Sequence, residues 1–235
     1  MRAAVGFLTI VGGSVAPDRR SVAWFAPVGA AIGLAVGSIW WGAHELWPPL
    51  VAAVLSVCAD AVLTGMLHFD GLVDTADGVL PPLDRTRRLA VLRDPQAGGF
   101  GVVVVGLVLM LRVAAFASMT PDPLLIAGLW AAARAAMGVV LAVVPYARGE
   151  GGLASAFLGV SPWPSTVGGV LALGLVVVVS PSLAAGLVTA AVTAVGAVAV
   201  TVLAARRLGG FTGDTLGATG VLAETCGLVV AAARW

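Results

Sequence analysis

Residues 183–203 read LAAGLVTAAVTAVGAVAVTVL. No charge interrupts the run, and apolar and polar residues do not alternate along it. A helix crossing the hydrocarbon core of a bilayer needs about 20 mostly apolar residues, whereas a barrel strand needs about 10 with strict alternation. The stretch therefore predicts a transmembrane helix, and Leu171–Val179 just before it has the same character. Both runs are rich in Gly, Ala and Val, which suits close helix packing in lipid.

The whole chain agrees with this reading. Of 235 residues, 60% are hydrophobic and 11% charged, and the mean hydropathy is +1.04. A soluble domain carries about 25% charged residues. A chain this apolar cannot cover a water-facing surface, so membrane lipid is its expected solvent. The predicted fold is an all-α polytopic bundle of about seven transmembrane helices, forming one membrane domain over residues 1–235, with catalytic loops on the cytosolic side. The spans are expected near Val22–Trp41, Leu50–Leu67, Phe100–Ala117, Leu124–Val144, Val167–Val179, Leu183–Leu203 and Leu216–Ala233. Pro48, Pro121, Pro123, Pro145, Pro164 and Pro181 fall near the joins, where a lost backbone donor costs least.

Arginine placement orients the bundle. All 13 basic residues are Arg. Arg19/Arg20, Arg85/Arg87/Arg88/Arg93, Arg148 and Arg206/Arg207 fall in alternate connections, and the connections between those contain no Arg. Basic residues favour cytoplasmic loops, so these four connections are expected in the cytosol and the protein in the inner or plasma membrane. The net charge of +1 gives no basis for a nucleic-acid partner, and nothing in the pattern speaks against a homo-oligomer. Cys58 and Cys226 both sit in apolar runs without metal-ligand spacing and read as packing residues. Ser14-Val15-Ala16, after the short apolar run Ala3–Val11, imitates a signal-peptidase site. The preferred reading is a short helix on the membrane ahead of the first span.

The chemistry concentrates in Thr64-Gly65-Met66-Leu67-His68-Phe69-Asp70-Gly71-Leu72-Val73-Asp74-Thr75-Ala76-Asp77-Gly78. Asp70, Asp74 and Asp77 are spaced i, i+4, i+7, which on a helix puts three carboxylates on one face. Stacked like charges repel unless a cation sits among them, and Mg²⁺ is the natural hard divalent ion, commonly sharing its shell with substrate phosphates. A metal–phosphate site at the cytosolic end of the second span follows. A merely solvated acidic loop explains poorly why the aspartates recur among Leu72, Val73 and Ala76. His68 points away from that face and reads either as a base or phosphate donor or as a packed, hydrogen-bonded residue.

Further polar segments surround it. Arg93 precedes the glycine-rich turn Asp94–Gly101, which opens a helix and suits phosphate binding. Gly209–Ala218 is polar and glycine-rich, with Thr212, Asp214 and Thr215 as candidate helix caps or as positioning groups for a second ligand. Arg148 sits in the short glycine-rich connection from Pro145 to Gly152 and is a further phosphate candidate. Glu224, Asp60, Arg112 and Arg134 fall inside predicted spans, where ionisable residues are expensive. Arg134 and Glu224 read as functional and Asp60 as structural.

These segments together resemble the cobalamin synthase family, the adenosylcobinamide-GDP ribazoletransferases. The resemblance is carried by Thr64-Gly65, His68–Gly78, Arg93-Asp94 with Phe100-Gly101, Arg134, Pro145–Arg148, Thr212–Gly217 and Glu224, in that order over most of the chain. It implies that α-ribazole, or its 5′-phosphate, attacks the cobinamide-linked phosphorus of adenosylcobinamide-GDP. GMP then leaves, and adenosylcobalamin or its phosphate forms. It also implies Mg²⁺ as cofactor, held by Asp70, Asp74 and Asp77, with Asp214 as a further ligand or base and His68 as the other base candidate. Arg93, Arg134 and Arg148 would grip the pyrophosphate, with Thr212 and Glu224 among the substrate-binding residues. Two rival readings are a membrane transporter using Asp60, Arg112 and Arg134 as an ion relay, and a phosphotransferase of the CDP-alcohol type. The second is disfavoured because Asp70-Gly71 is followed by Leu72-Val73-Asp74 and not by the Ala-Arg of that signature.

Overall fold

The computed structural model describes residues 1–13, 18–148 and 153–235. The Ser14-Val15-Ala16 step and the Gly149–Gly152 part of the Pro145 connection lie outside the described residues. All seven expected spans are helical: α2 (Phe25–Leu46), α3 (Pro49–Leu63), α6 (Gly99–Ser118), α7 (Pro123–Val143), α8 (Trp163–Val179), α9 (Leu183–Leu208) and α10 (Gly213–Ala231). Three shorter helices bring the total among the described residues to ten: α1 (Arg2–Leu8), α4 (Leu67–Val79) and α5 (Arg85–Val91). The excess over seven arises where the sequence suggested loops or a membrane-surface segment. Among the described residues there is no β-strand, only a single bridge pairing Tyr146 with Phe211.

Five helices are individually long and apolar enough to cross a bilayer: α2 with its leading 3₁₀ turn, α6, α7, α9 and α10. α8 is apolar but has 17 residues, about 26 Å at 1.5 Å per residue. α3 and α4 pass the same test only as a pair, and a 90° bend separates them. The bend has a local cause. Gly65 and Met66 both take left-handed backbone angles, with φ of 60° and 59°. Gly65 does this freely, whereas Met66 does so against its Cβ. The turn sends α4, with its aspartates, off the axis of α3. The protein is thus a multi-pass membrane protein.

α7 is the central post. Its apolar window is 83% buried inside the protein, against 28% for α6 and 39% for α9, whose remaining surface faces outward. α2 lies tightly along it. Gly29, Gly33 and Gly37, spaced by four, turn one face of α2 to α7, and a Cβ on any of them would meet α7 backbone or side-chain atoms at 2.5–2.7 Å. Such small-residue seams are how helices approach closely where lipid removes the ordinary hydrophobic drive. At one end of the bundle α4, α5, the entry to α10 and the Pro145–Arg148 connection come together, and the candidate site is there.

Candidate active site

The α4–α10 crossing builds the site. The helices meet through two glycines: a Cβ on Gly71 would lie 2.8 Å from the Asp214 carbonyl oxygen, and one on Gly217 would lie 3.2 Å from the His68 Cα. Close approach sets the acidic face of α4 beside the first turn of α10. α10 begins with a reciprocal cap, in which the Thr212 amide donates to Thr215 Oγ1 (2.8 Å) and the Thr215 amide donates to Thr212 Oγ1 (3.3 Å). Asp214 follows in the first turn, where a carboxylate is favoured by the helix dipole.

A third wall comes from the connection after α7. The Ala147 amide donates to the Phe211 carbonyl (2.8 Å) and the Phe211 amide donates to the Pro145 carbonyl (2.9 Å), locking the connection to the entry of α10. Arg85 staples the same place, donating from Nε to the Leu208 carbonyl (2.7 Å) and from Nη2 to the Ala147 carbonyl (3.3 Å). Arg88 binds the Gly78 and Val79 carbonyls at the end of α4. Arg85 and Arg88 therefore do structural work at helix ends beyond carrying positive charge. Arg148, so positioned, donates from Nη2 to Asp214 Oδ2 (2.6 Å) and to the Leu92 carbonyl (2.7 Å).

The walls enclose a cavity of about 250 Å³ lined by Phe7, Leu67, His68, Asp70, Met137, Tyr146, Arg148 and Asp214 among others. Asp70 is exposed and Asp74 half-buried. Burial, then the neighbouring carboxylates of Asp214 and Asp70, raise the Asp74 pKa to about 6, against a smaller lowering by Arg148. Burial also raises the Tyr146 phenol above its ordinary value, opposed by Arg148 and Arg93 nearby. The Arg93 guanidinium is exposed and makes no hydrogen bond or ion pair among the described residues. A larger apolar cavity of about 370 Å³ between α7, α8 and α9 carries no charged group and lies away from this chemistry.

The expected site residues divide into two groups. Asp70, Asp74, Asp214, Arg148 and His68 come together, with Arg93 within electrostatic reach. Asp77 turns elsewhere: its carboxylate accepts from the Gly98 amide (2.7 Å) and the Gly101 amide (2.9 Å), closing the N-terminus of α6. The three aspartates of α4 do not form a ready-made cage, and among the described residues no three His, Cys, Asp or Glu side chains stand together at metal-holding distance. Thr212 is buried and occupied as the cap of α10.

Arg134 and Glu224 are also occupied, in a cluster deeper in the bundle. Arg134 Nη1 binds Glu224 Oε1 (2.5 Å), whose Oε2 binds Arg112 Nη2 (2.6 Å), while Arg112 Nη1 binds Asp60 Oδ2 (2.7 Å). Trp130 Nε1 donates to Asp60 Oδ1 (2.8 Å), and Arg112 also bonds Thr225 and lies over the Phe69 and Trp130 rings. These four ionised side chains are at most 3% exposed and balance in charge. The geometry gives Arg134 and Glu224 to this buried lock, because neither side chain lines the cavity. The residues named for an ion relay, Asp60, Arg112 and Arg134, are thus joined to one another through Glu224. Phe7 and Met137, which do line the cavity, were silent in the sequence: an apolar residue in an apolar chain carries no chemical signal.

The sequence model of the family described as cobalamin-5-phosphate synthase matches residues 1–232. A protein of Azorhizobium caulinodans named adenosylcobinamide-GDP ribazoletransferase is 39% identical over 218 residues, covering 88% of this chain and 82% of its own. Proteins of the same name from Desulforamulus reducens and Chlorobaculum tepidum are 31% and 34% identical, covering 96% of this chain and 92% and 90% of their own. No solved structure matches the chain. With the match running almost end to end, the chain belongs to the cobalamin-5-phosphate synthase family.

Proposed function

We propose that the protein is an adenosylcobinamide-GDP ribazoletransferase working at the α4–α10 cleft. A hydroxyl of α-ribazole, or of its 5′-phosphate, forms a bond to the cobinamide-linked phosphorus. The bond from that phosphorus to the bridging oxygen breaks, GMP leaves with that oxygen, and the hydroxyl proton passes to a carboxylate or imidazole of the cleft. The observation that carries this reading is the facing of Asp70, Asp74 and Asp214 with Arg148 at one glycine-tight helix crossing. Phosphoryl transfer asks the protein for charge neutralisation and in-line positioning more than for covalent chemistry. Arg148, and the exposed Arg93 within electrostatic reach of Tyr146, would take the pyrophosphate oxygens.

Mg²⁺ fits this donor set. Burial first, and then repulsion from Asp214 and Asp70, raises Asp74, and a cation would relieve the repulsion. A site offering one or two carboxylates, with the shell completed by water and phosphate, is the usual manner of Mg²⁺. Asp70 and Asp74 would hold it, with Asp214 alongside. Bound there, the ion would neutralise charge developing on the phosphorus oxygens. The cleft would face the cytosol of the plasma membrane, as the arginine-bearing connections suggest.

The test is GMP release by detergent-purified protein given adenosylcobinamide-GDP, α-ribazole 5′-phosphate and Mg²⁺. Release is expected to require the metal and to fall at least about 100-fold in Asp74→Asn while the variant unfolds at the wild-type temperature. No GMP from folded wild type overturns the assignment. Release that survives the substitution keeps the reaction and moves the metal.

A further inference from the structure

The cavity behind the acidic cleft has a chemical character of its own. It is enclosed on several sides and holds about 250 Å³, below the roughly 300–1,000 Å³ of clefts that swallow a drug-sized ligand. A corrinoid carrying a nucleotide cannot enter such a space, whereas a single aromatic nucleoside can. Its lining is mixed. Phe7, Leu67 and Met137 give it apolar surface, and Asp70, Arg148 and Asp214 give it charge. Phe7 is itself held in an aromatic group, with its ring 5.7 Å from that of Phe25 and 4.8 Å from that of Phe157.

One polar side chain in this lining lacks a partner. His68 is 2% exposed, and neither Nδ1 nor Nε2 has a hydrogen-bond partner within the protein. A buried imidazole with both nitrogens unsatisfied is costly; His68 lines the cavity, its nitrogens are closed off from it, and a turn of the ring brings one of them to a group entering there.

We propose that this cavity is the seat of the acceptor nucleoside: its flat fused-ring base lies against Phe7, Leu67 and Met137, the His68 ring turns to hydrogen-bond it, and its sugar points to the aspartates. This rests on the transferase reading above and adds to it a division of labour. The small nucleoside enters the enclosed space, while the corrinoid and its pyrophosphate remain outside, at the cleft and rim. The acceptor hydroxyl then meets the phosphorus at the boundary between the two. Phe7 and Met137 are specificity-determining residues in this arrangement, choosing the size and flatness of the base.

The experiment measures initial rates of GMP release with each substrate varied in turn, for wild type, Phe7→Ala and Met137→Ala. It is paired with equilibrium dialysis of α-ribazole alone against each protein. Phe7→Ala is expected to raise the KM for α-ribazole about tenfold or more, with the KM for adenosylcobinamide-GDP within about twofold. Met137→Ala is expected to shift preference toward a nucleoside with a larger fused-ring base. Dialysis should find the same loss of α-ribazole binding in Phe7→Ala, independently of turnover. If the KM for adenosylcobinamide-GDP rises instead, or neither KM moves while GMP is still released, the cavity assignment is overturned and the transferase reading stands. If wild type binds α-ribazole but releases no GMP, the transferase reading fails and the cavity assignment survives as a binding site. If wild type neither binds nor turns over, both fall.

Discussion

Asp74 and Asp77 sit three residues apart on one helix and do different things. Asp74 is half-buried among carboxylates, and its pKa of about 6 lies well above the ordinary carboxylate range. Its charged form is the one disfavoured, so in the metal-free protein the side chain gains its proton as pH falls through about 6. A metal needs that group deprotonated. Mg²⁺ affinity is therefore expected to be full at pH 7.5 and to drop steeply below pH 6. At pH 5.5 binding should release protons, which calorimetry in buffers of different ionisation enthalpy would count. An affinity flat from pH 5 to 8 would remove Asp74 from the metal. Asp77 instead holds two amides at the start of α6. Asp77→Ala is expected to lose about 1–3 kcal/mol in a detergent unfolding titration, because one buried and one part-buried donor are left unpaired. Asp77→Asn, keeping one acceptor oxygen, should lose less than half of that, with activity falling only as stability does. Activity lost at wild-type stability would return Asp77 to the metal.

At the scale of elements, the site exists because α4 and α10 come closer than side chains normally allow. Gly71 is the contact point, and an added Cβ there would meet the Asp214 carbonyl oxygen at 2.8 Å, a backbone atom that cannot swing aside. Gly71→Ala is expected to cost about 1–3 kcal/mol and to lower GMP release beyond what the lost folded fraction explains, since it pushes Asp214 away from Asp70 and Asp74. Gly106→Ala, with open space around the added atom, is the control that should change neither. Gly71 in the sequence is itself a sign that another backbone or a ligand comes close, because glycine weakens a helix without such a reason. It did not indicate which backbone, since that depends on an approach between positions over a hundred residues apart. Helical spans were legible for the same reason that the crossing was not. A run such as Leu183–Leu203 states its own environment, whereas α1, α4 and α5 take their places from neighbours. The left-handed pair at Gly65-Met66 shows the limit most plainly: the expected span ran through it to Leu67, and Met66 in that conformation had no local signal.

Across the whole molecule, Asp60, Arg112, Glu224 and Arg134 tie α3, α6, α7 and α10 together in the interior. Their presence inside spans was plain in the sequence, and a buried Asp–Arg arrangement was one reading of it, but the place of Glu224 between the two arginines was not legible, and a charge without a visible partner reads as a site. Arg134 was accordingly expected to hold pyrophosphate, whereas its guanidinium is bonded to Glu224 and is 1% exposed. Removing one member of a buried ion group costs about 3–5 kcal/mol because the other charge is stranded. Glu224→Leu should therefore be severely destabilised, leaving Arg134 without an acid and Arg112 with only Asp60. Adding Arg134→Leu removes the stranded charge and leaves the neutral pair of Arg112 with Asp60, so the double variant should recover at least about half of the lost stability. The same double variant separates the lock from the grip. If Arg134 acts only through packing, GMP release returns with the fold, and the KM for adenosylcobinamide-GDP stays near the wild-type value. If Arg134 holds substrate phosphate, the double variant refolds but remains inactive, because no residue of the restored cluster supplies the missing guanidinium.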